Sequence, residues 1–545
     1  MGLSNFAPLV LRTGPQISWA AIRRQPGFPI FTKSESIDDL FARYGQTYRI
    51  LVMIAGMSAS FTMVVSGTIV NVAVPDVMGA FGVGLDQAQL MTSAFNIAMV
   101  TSQLLNAWVV AAFGQRGGFM LASVIFTVGS VIGGVSQDYN LIVLGRVMQG
   151  MAAGIIQPLV MVVAFQVFPP ERRGYAMAIY SMGVFMAVAI GPIVGGISID
   201  LFHWRYIFWA PLPIIVVSAM MGWVFMPSVP NRDSGSFDWI GYILLVVMVY
   251  CLITGLTEGN AEGWTSTYIL GLFTLGIGSG FALIWSQLRD RPTLIDVSLF
   301  SHKEFAMTAL IAFVFGIGNF GTGYGVPVFG QLIQGMTPIV AALVMFPSSI
   351  LIVIALPLTG KLADKIPPHI GILIGLVLFA VGTAPMAGAD VNTPFLLIMI
   401  YFIISRFGMS FTNPFIMKTA LASLPADKLS AGGGTINFCR QFGGSLGLTA
   451  WVAFVQNRTQ FHSEALTATQ SSANTTTQEM LRGVGRIYTE AGLPIDLHLP
   501  GALLFLGEVI NAQASTLGFQ DGFLLMVFFF LCAMIPAYLL GRIKK

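Results

Sequence analysis

Long apolar runs separated by short polar links are the feature that most limits what this chain can become. They fall near residues 50–74, 88–112, 117–136, 139–166, 174–199, 205–226, 239–257, 267–287, 305–330, 338–359, 370–388, 394–417, 432–455 and 521–541. A helix needs about 20 apolar residues to cross the hydrocarbon core of a bilayer, so the pattern predicts fourteen crossings. Charged residues are only 9% of the chain, against about 25% in an average soluble domain. A water-soluble protein of this length could not cover its surface with so few. The expected fold class is an all-α polytopic membrane protein with 14 transmembrane helices.

An even number of crossings puts both termini on one side of the membrane, and the basic residues say which. Lysine and arginine collect in cytoplasmic loops. The two tails and the even-to-odd links carry twenty of them, among them Arg116, Arg172, Arg232, Arg291, Lys365, Lys418, Lys544 and Lys545. The opposite links carry four: Arg205, Arg458, Arg482 and Arg486. Both termini are therefore expected in the cytoplasm. The division is a basic cytoplasmic tail at 1–48, a first six-helix half at 49–226, two inserted helices at 237–288 and a second half at 304–541. That second half includes an outer loop at 456–520, expected to be short surface helices around a flexible stretch. No small-residue cleavage site follows the short apolar piece near Phe6, so the tail does not read as a signal peptide. Cys251, Cys439 and Cys532 sit in apolar runs at no metal-ligand spacing.

The two halves share a local pattern. Gly360-Lys361-Leu362-Ala363-Asp364-Lys365 follows the tenth run, and Ala107–Arg116 follows the second. Two parallel six-helix units around a midplane cavity form a transporter architecture.

Polar residues inside the runs mark candidate sites. In the fourth run Arg146, Gln149, Gly150, Ala153 and Gln157 share one helical face. Arginine at this depth costs about 2.5–3.5 kcal/mol on insertion scales, so Arg146 is expected to face a cavity or a partner. Arg406 and Arg440 lie in the twelfth and thirteenth runs. In the fifth, Gly183, Ala187, Gly191 and Gly195 recur every four residues, a spacing that lets helices pack backbone to backbone. Pro192 removes a donor from that helix and permits a bend.

In this order the pieces resemble the major facilitator superfamily, and within it the fourteen-span drug:proton antiporters of the EmrB/QacA type. The fourth-span motif RxxQGxGAA is similar to Arg146–Gly154, and the antiporter motif GPxxGG matches Gly191, Pro192, Gly195 and Gly196. Trp204-Arg205, Gly360–Lys365, Arg440–Gly447 and the Gln513-Ala514 and Asp521-Gly522-Phe523 pieces match further signatures, and the resemblance covers about 50–541. It implies the major facilitator fold and export of small amphipathic compounds by alternating access coupled to proton entry, from a bacterial inner membrane. It also implies gating by Gly360, Asp364, Lys365 and Arg116, no cofactor, and partnership with a periplasmic adaptor and an outer-membrane channel.

Two departures qualify that expectation. The first-span motif LDxTxxNVAxP reads Val65–Pro75 here; Thr68, Asn71 and Pro75 are kept, but Ser66 replaces the acid. Ala111 stands where the first-half link should carry its acid. No acid or histidine falls at mid-depth in any run, while Arg146, Arg406 and Arg440 do. This leaves an electropositive cavity for anionic amphiphiles as an alternative to general multidrug export, with Arg146, Gln149, Gln157, Asn71, Ser66, Arg440 and Arg406 as substrate or coupling residues. The rim carboxylates Asp200 and Glu258 are candidate proton carriers. A non-transporting sensor on the same scaffold is a third reading. An enzyme would need metal ligands or paired carboxylates, and a channel would need filter loops or charged rings; the chain offers neither pattern.

Overall fold

Backbone amides in hydrocarbon must find partners within their own segment, and in the computed structural model each apolar run is helical. The structure describes residues 35–83, 85–228, 236–289, 293–471 and 473–543. Residues 1–34 of the tail, Arg232, Arg291, Lys544 and Lys545 lie outside these, as do the side chains of Asn71 and Asp200.

A capped helix α1 (Ile37–Tyr44) leads into α2 (Tyr48–Phe81). The first half continues with α3 (Leu85–Ser102), α4 (Asn106–Val135), α5 (Tyr139–Val167), α6 (Arg173–Leu201), α7 (Tyr206–Trp209) and α8 (Leu212–Phe225). An inserted pair follows, α9 (Trp239–Glu262) and α10 (Thr267–Gln287). The second half holds α11 (Lys303–Leu332), α12 (Pro338–Ala363), α13 (Pro368–Thr383), α14 (Phe395–Ala422), α15 (Leu429–Ala468), α16 (Thr475–Glu490) and α17 (His498–Ile543).

Twelve described helical runs are long and apolar enough to cross a membrane, two fewer than the sequence pattern. The difference has two sources. Residues Leu90–Val135 count as a single run of 46 residues, yet Gly114 within it has φ 71° and ψ 173°. A Cβ on Gly118 would lie 2.9 Å from Val109 Cγ1, although nine residues of continuous helix would span about 13 Å. The chain therefore folds back at Gly114, where glycine tolerates the positive φ. The other source is α15, whose 40 residues are not among the twelve.

The same pairings recur in both halves. α2 packs on α6 and α8 as α11 packs on α15 and α17. α5 packs on α3 and α4 as α14 packs on α12 and α13. Helix α15 and the 46-residue α17 reach about 60 and 69 Å at 1.5 Å per residue, twice the hydrocarbon thickness of about 30 Å. The segment expected as short surface helices is therefore mostly a continuation of these two rods, with α16 between them. The apolar Leu503–Leu506 lies inside α17.

Both described ends sit on one face of the bundle, here called the near face. Glu35 exchanges backbone hydrogen bonds with Ser228 at 2.9 and 3.1 Å, and a Cβ on Gly541 would touch the His369 ring. An even number of crossings follows from that placement. The extensions of α15 and α17 rise from the opposite, far face.

Candidate functional site

Arg146 has no exposed surface. It donates from Nη1 to Ser66 O at 3.0 Å, Ser66 Oγ at 3.4 Å and Gln149 Oε1 at 2.8 Å, and from Nε to Met91 O at 3.2 Å. Its guanidinium lies 4.3 Å from the Phe95 ring centroid, and Gln149 passes the network on to Ser130 at 2.8 Å. Hydrogen bonds to a charged group contribute about 1.5–3 kcal/mol each, enough together to offset the insertion cost of the arginine. Arg146 thus ties α2, α3 and α5 together within the first half. Of the cavity and the partner expected for it, the geometry supplies partners: neighbouring oxygens receive Nε and Nη1, while Nη2 is enclosed without one.

Arg406 repeats this arrangement in the second half. From α14 it reaches back to the first helix of its unit, donating to Asn319 Oδ1 at 2.7 Å, Asn319 O at 3.2 Å, Thr322 Oγ1 at 2.8 Å and Met409 Sδ at 3.4 Å. Phe402 supplies the ring at 4.6 Å. Asn319 is to Arg406 what Ser66 is to Arg146: each offers its backbone oxygen and its side chain.

The glycine stripe of α6 faces α2. A Cβ on Gly191 would collide with Thr68 Oγ1, and one on Gly195 would sit 2.9 Å from Ile69 O. Gly196 has open space, and Pro192 is exposed within an α6 that runs on past it. Gly150 and Gly154 likewise admit the backbone oxygens of Phe95 and Met99.

The two halves meet at the near face. Asp364 accepts from the backbone N–H of Gly174 at 2.7 Å and of Tyr175 at 3.1 Å, at the start of α6. A carboxylate is favoured there by the helix dipole and the free N–H groups. Lys418 Nζ holds the same carboxylate at 2.8 Å. Lys365, expected among the gating residues, is exposed; the cation at Asp364 is Lys418, brought there because α14 packs on α12. A Cβ on Gly174 would lie 2.7 Å from Gly360 O, so these two glycines allow the close crossing. Asn413 donates to Ser181 at 2.6 Å, and Asn106 to Ser430 O at 3.1 Å. These contacts join the halves at one end only.

The acid missing from the first-half link is supplied from elsewhere. Arg116 donates to Glu35 Oε2 at 2.6 Å and to Met226 O at 2.8 Å, and both side chains of the ion pair are nearly enclosed. The hydrogen bond from Arg116 lowers the Glu35 pKa below its ordinary 4.5, outweighing the effect of burial. The pair lies 81 residues apart in the chain.

Deeper at the junction, a polar layer surrounds Arg440 of α15. Its Nη2 donates to Asn437 Oδ1 at 3.1 Å, and Asn437 reaches Met161 Sδ of α5 at 3.3 Å. Gln157 and Gln441 approach Met99 Sδ from the two halves, at 3.5 and 3.8 Å. Tyr180 donates to Gln157 O at 3.0 Å. At the far face Asp521 accepts from Arg458 at 2.7 Å and lies 2.8 Å from His462 Nε2.

The arrangement has relatives. Residues 56–448 match the family model described as Major Facilitator Superfamily. The chain is 27% identical over 497 residues to the uncharacterized MFS-type transporter YhcA of Bacillus subtilis, covering 91% of this chain and 93% of that protein. It is 28% identical over 498 residues to the multidrug export protein EmrB of Haemophilus influenzae, covering 88% and 95%. Among solved structures it superposes on the human organic anion transporter MFSD10 with TM-score 0.57 at 12% identity, covering 88% of this chain and 99% of the other. That likeness shows the fold.

Proposed function

The chain belongs to the Major Facilitator Superfamily, and on that premise we propose that it is a fourteen-span, proton-driven exporter of small amphipathic compounds. Members of this family are transporters rather than enzymes, and the multi-pass inner-membrane location follows with it. The two helices that bring the count from twelve to fourteen are the second limb of the hairpin at Gly114 and α15. The near face, where the basic links gather, is assigned to the cytoplasm.

One observation carries the reading. The hydrogen bonds that join the two halves cluster at the near face, where Asp364 clamps the start of α6. Two rigid units, each tied internally by its own arginine and joined at one end, are what alternating access requires. The described state is closed toward the near face; export needs a second state in which the Asp364 contacts part. Arg146, Gln149, Ser66 and Arg406 hold each unit rigid, and the antiporter-motif glycines keep α6 seated on α2. Proton entry is assigned to a rim carboxylate, Glu258 or Asp200. The long α15, α16 and α17 extension is the docking surface for a periplasmic adaptor, which co-purification tests.

Efflux measured in everted membrane vesicles tests the function. The reading expects dye or organic-acid movement that depends on an imposed pH gradient. Equal rates with and without the gradient would remove proton coupling, and no movement of any amphipathic compound would remove export.

A further inference from the structure

Of the three arginines buried in spanning helices, Arg440 differs in one respect. Arg146 and Arg406 each make four hydrogen bonds. Arg440 makes one, to Asn437. It is 7% exposed. Each of the three has one enclosed nitrogen without a partner, Nη2 of Arg146 and Nε of Arg406 and Arg440, so the difference lies in how few bonds the rest of the Arg440 guanidinium makes. No carboxylate pairs with it, and among the described residues the buried acid is Glu35, engaged with Arg116 at the near face. A buried cation left uncompensated is strongly destabilising, so this one is expected to serve something that arrives.

Its position says what kind of guest. Arg440 stands where α15 meets the first half, beside Tyr180 of α6, its electrostatic neighbour. The Oε1 of the adjacent Gln441 is without a partner, as are both amide atoms of the fully buried Gln103, whose backbone oxygen faces Gly434 of the same helix. Met99 and Met161 form the adjoining apolar wall, and methionine reshapes itself around varied ligands. A guanidinium with free N–H groups matches the planar, two-oxygen geometry of a carboxylate or sulfonate. In a low-dielectric junction the same charge repels a cation.

We propose that Arg440 receives the head group of a small amphipathic anion, a carboxylate or sulfonate, carried between the two halves. The proposal rests on the exporter reading and names its substrate class. The methionines take the apolar body.

Binding to the purified full-length protein in lipid nanodiscs tests it. The probes are salicylate, decanesulfonate and the lipophilic cation tetraphenylphosphonium, followed by calorimetry and by efflux from vesicles. Wild type is expected to bind both anions in competition with each other. Arg440→Gln should weaken them by at least about tenfold, the loss of one or two charge-assisted hydrogen bonds, and Arg440→Lys should recover part of that. Wild type that binds the cation but neither acid overturns the proposal, as does Arg440→Gln with unchanged anion affinity. If Arg440→Gln fails to fold, the wild-type comparison of acids with the cation decides alone. Cation efflux without acid efflux defeats the substrate class and leaves the exporter standing. Acid binding with no vesicle transport of any probe defeats the exporter and leaves the anion site.

Discussion

Asp364 of the second half accepts the backbone N–H of Gly174 in the first at 2.7 Å, and Lys418 Nζ holds the same oxygen, Oδ1, at 2.8 Å. A single carboxylate therefore satisfies a helix start across the boundary between the halves. Its replacement is the most informative change at the near face.

Asp364→Asn keeps the size but removes the charge that both the α6 dipole and Lys418 favour. Efflux should fall at least about tenfold, and because Asp364 and Lys418 are only 8% and 19% exposed, weakening these charge-assisted hydrogen bonds should also cost about 1–3 kcal/mol of stability. A thiol reporter at Ser181→Cys should label faster from the near face as the clamp loosens. Unchanged labelling would take Asp364 out of the closing contact.

Arg146→Gln leaves Ser66 O, Met91 O and Gln149 without their donor. Each orphaned group costs about 1–3 kcal/mol, so the first half should lose several kcal/mol of stability, read as a large fall in melting temperature. Arg406→Gln should do the same for the second half through Asn319 and Thr322. A melting point that does not move would show that the knots are not structural.

Gly191→Ala places a methyl against Thr68, whereas Gly196→Ala meets open space. The first should impair transport and folding and the second should behave as wild type, although both fall in one motif. Equal effects of the two would argue that the stripe acts through something other than packing on α2.

Glu35 has its pKa lowered in the folded state. Its contribution to stability is therefore complete above its ordinary value of 4.5 and is lost as the pH falls through the lowered one. Glu35→Gln should melt earlier than wild type at neutral pH, and the gap should close on acidification. A gap that stays constant with pH would mean the Arg116 pair contributes no charge-dependent stability.

How much of this could be read from the chain depends on which atoms carry each contact. The helical runs, the even count and the glycine face of α6 follow from composition and spacing, because a bilayer and a close crossing both act through side-chain size. The arginines were visible as charges in apolar runs. Their enclosure was not, since Ser66 O, Met91 O and Asn319 O are backbone oxygens that any residue would offer. The partner of Arg116 was hidden differently: Ala111 marks an acid as missing, but nothing in the local pattern points to Glu35 in the tail. Lys418 was missed because it lies 54 residues from Asp364 in the chain, and only the packing of α14 on α12 brings the two together. The outer segment was legible only in part: the polar run Ser463–Gln478 contains the break between α15 and α16, but nothing in it shows that a helix already formed in the membrane runs on into water.

A reversible crosslink across the cytoplasmic boundary tests alternating access most directly. A Cβ on Gly174 would lie 2.9 Å from Ala363 Cβ, about 0.6 Å closer than the 3.5–4.5 Å that a disulfide spans, so the two helix ends part slightly as the bond forms. The pair Gly174→Cys and Ala363→Cys should crosslink in the resting protein, stop efflux in everted vesicles, and regain it on reduction. Crosslinked protein that exports at the rate of its reduced form would contradict the account.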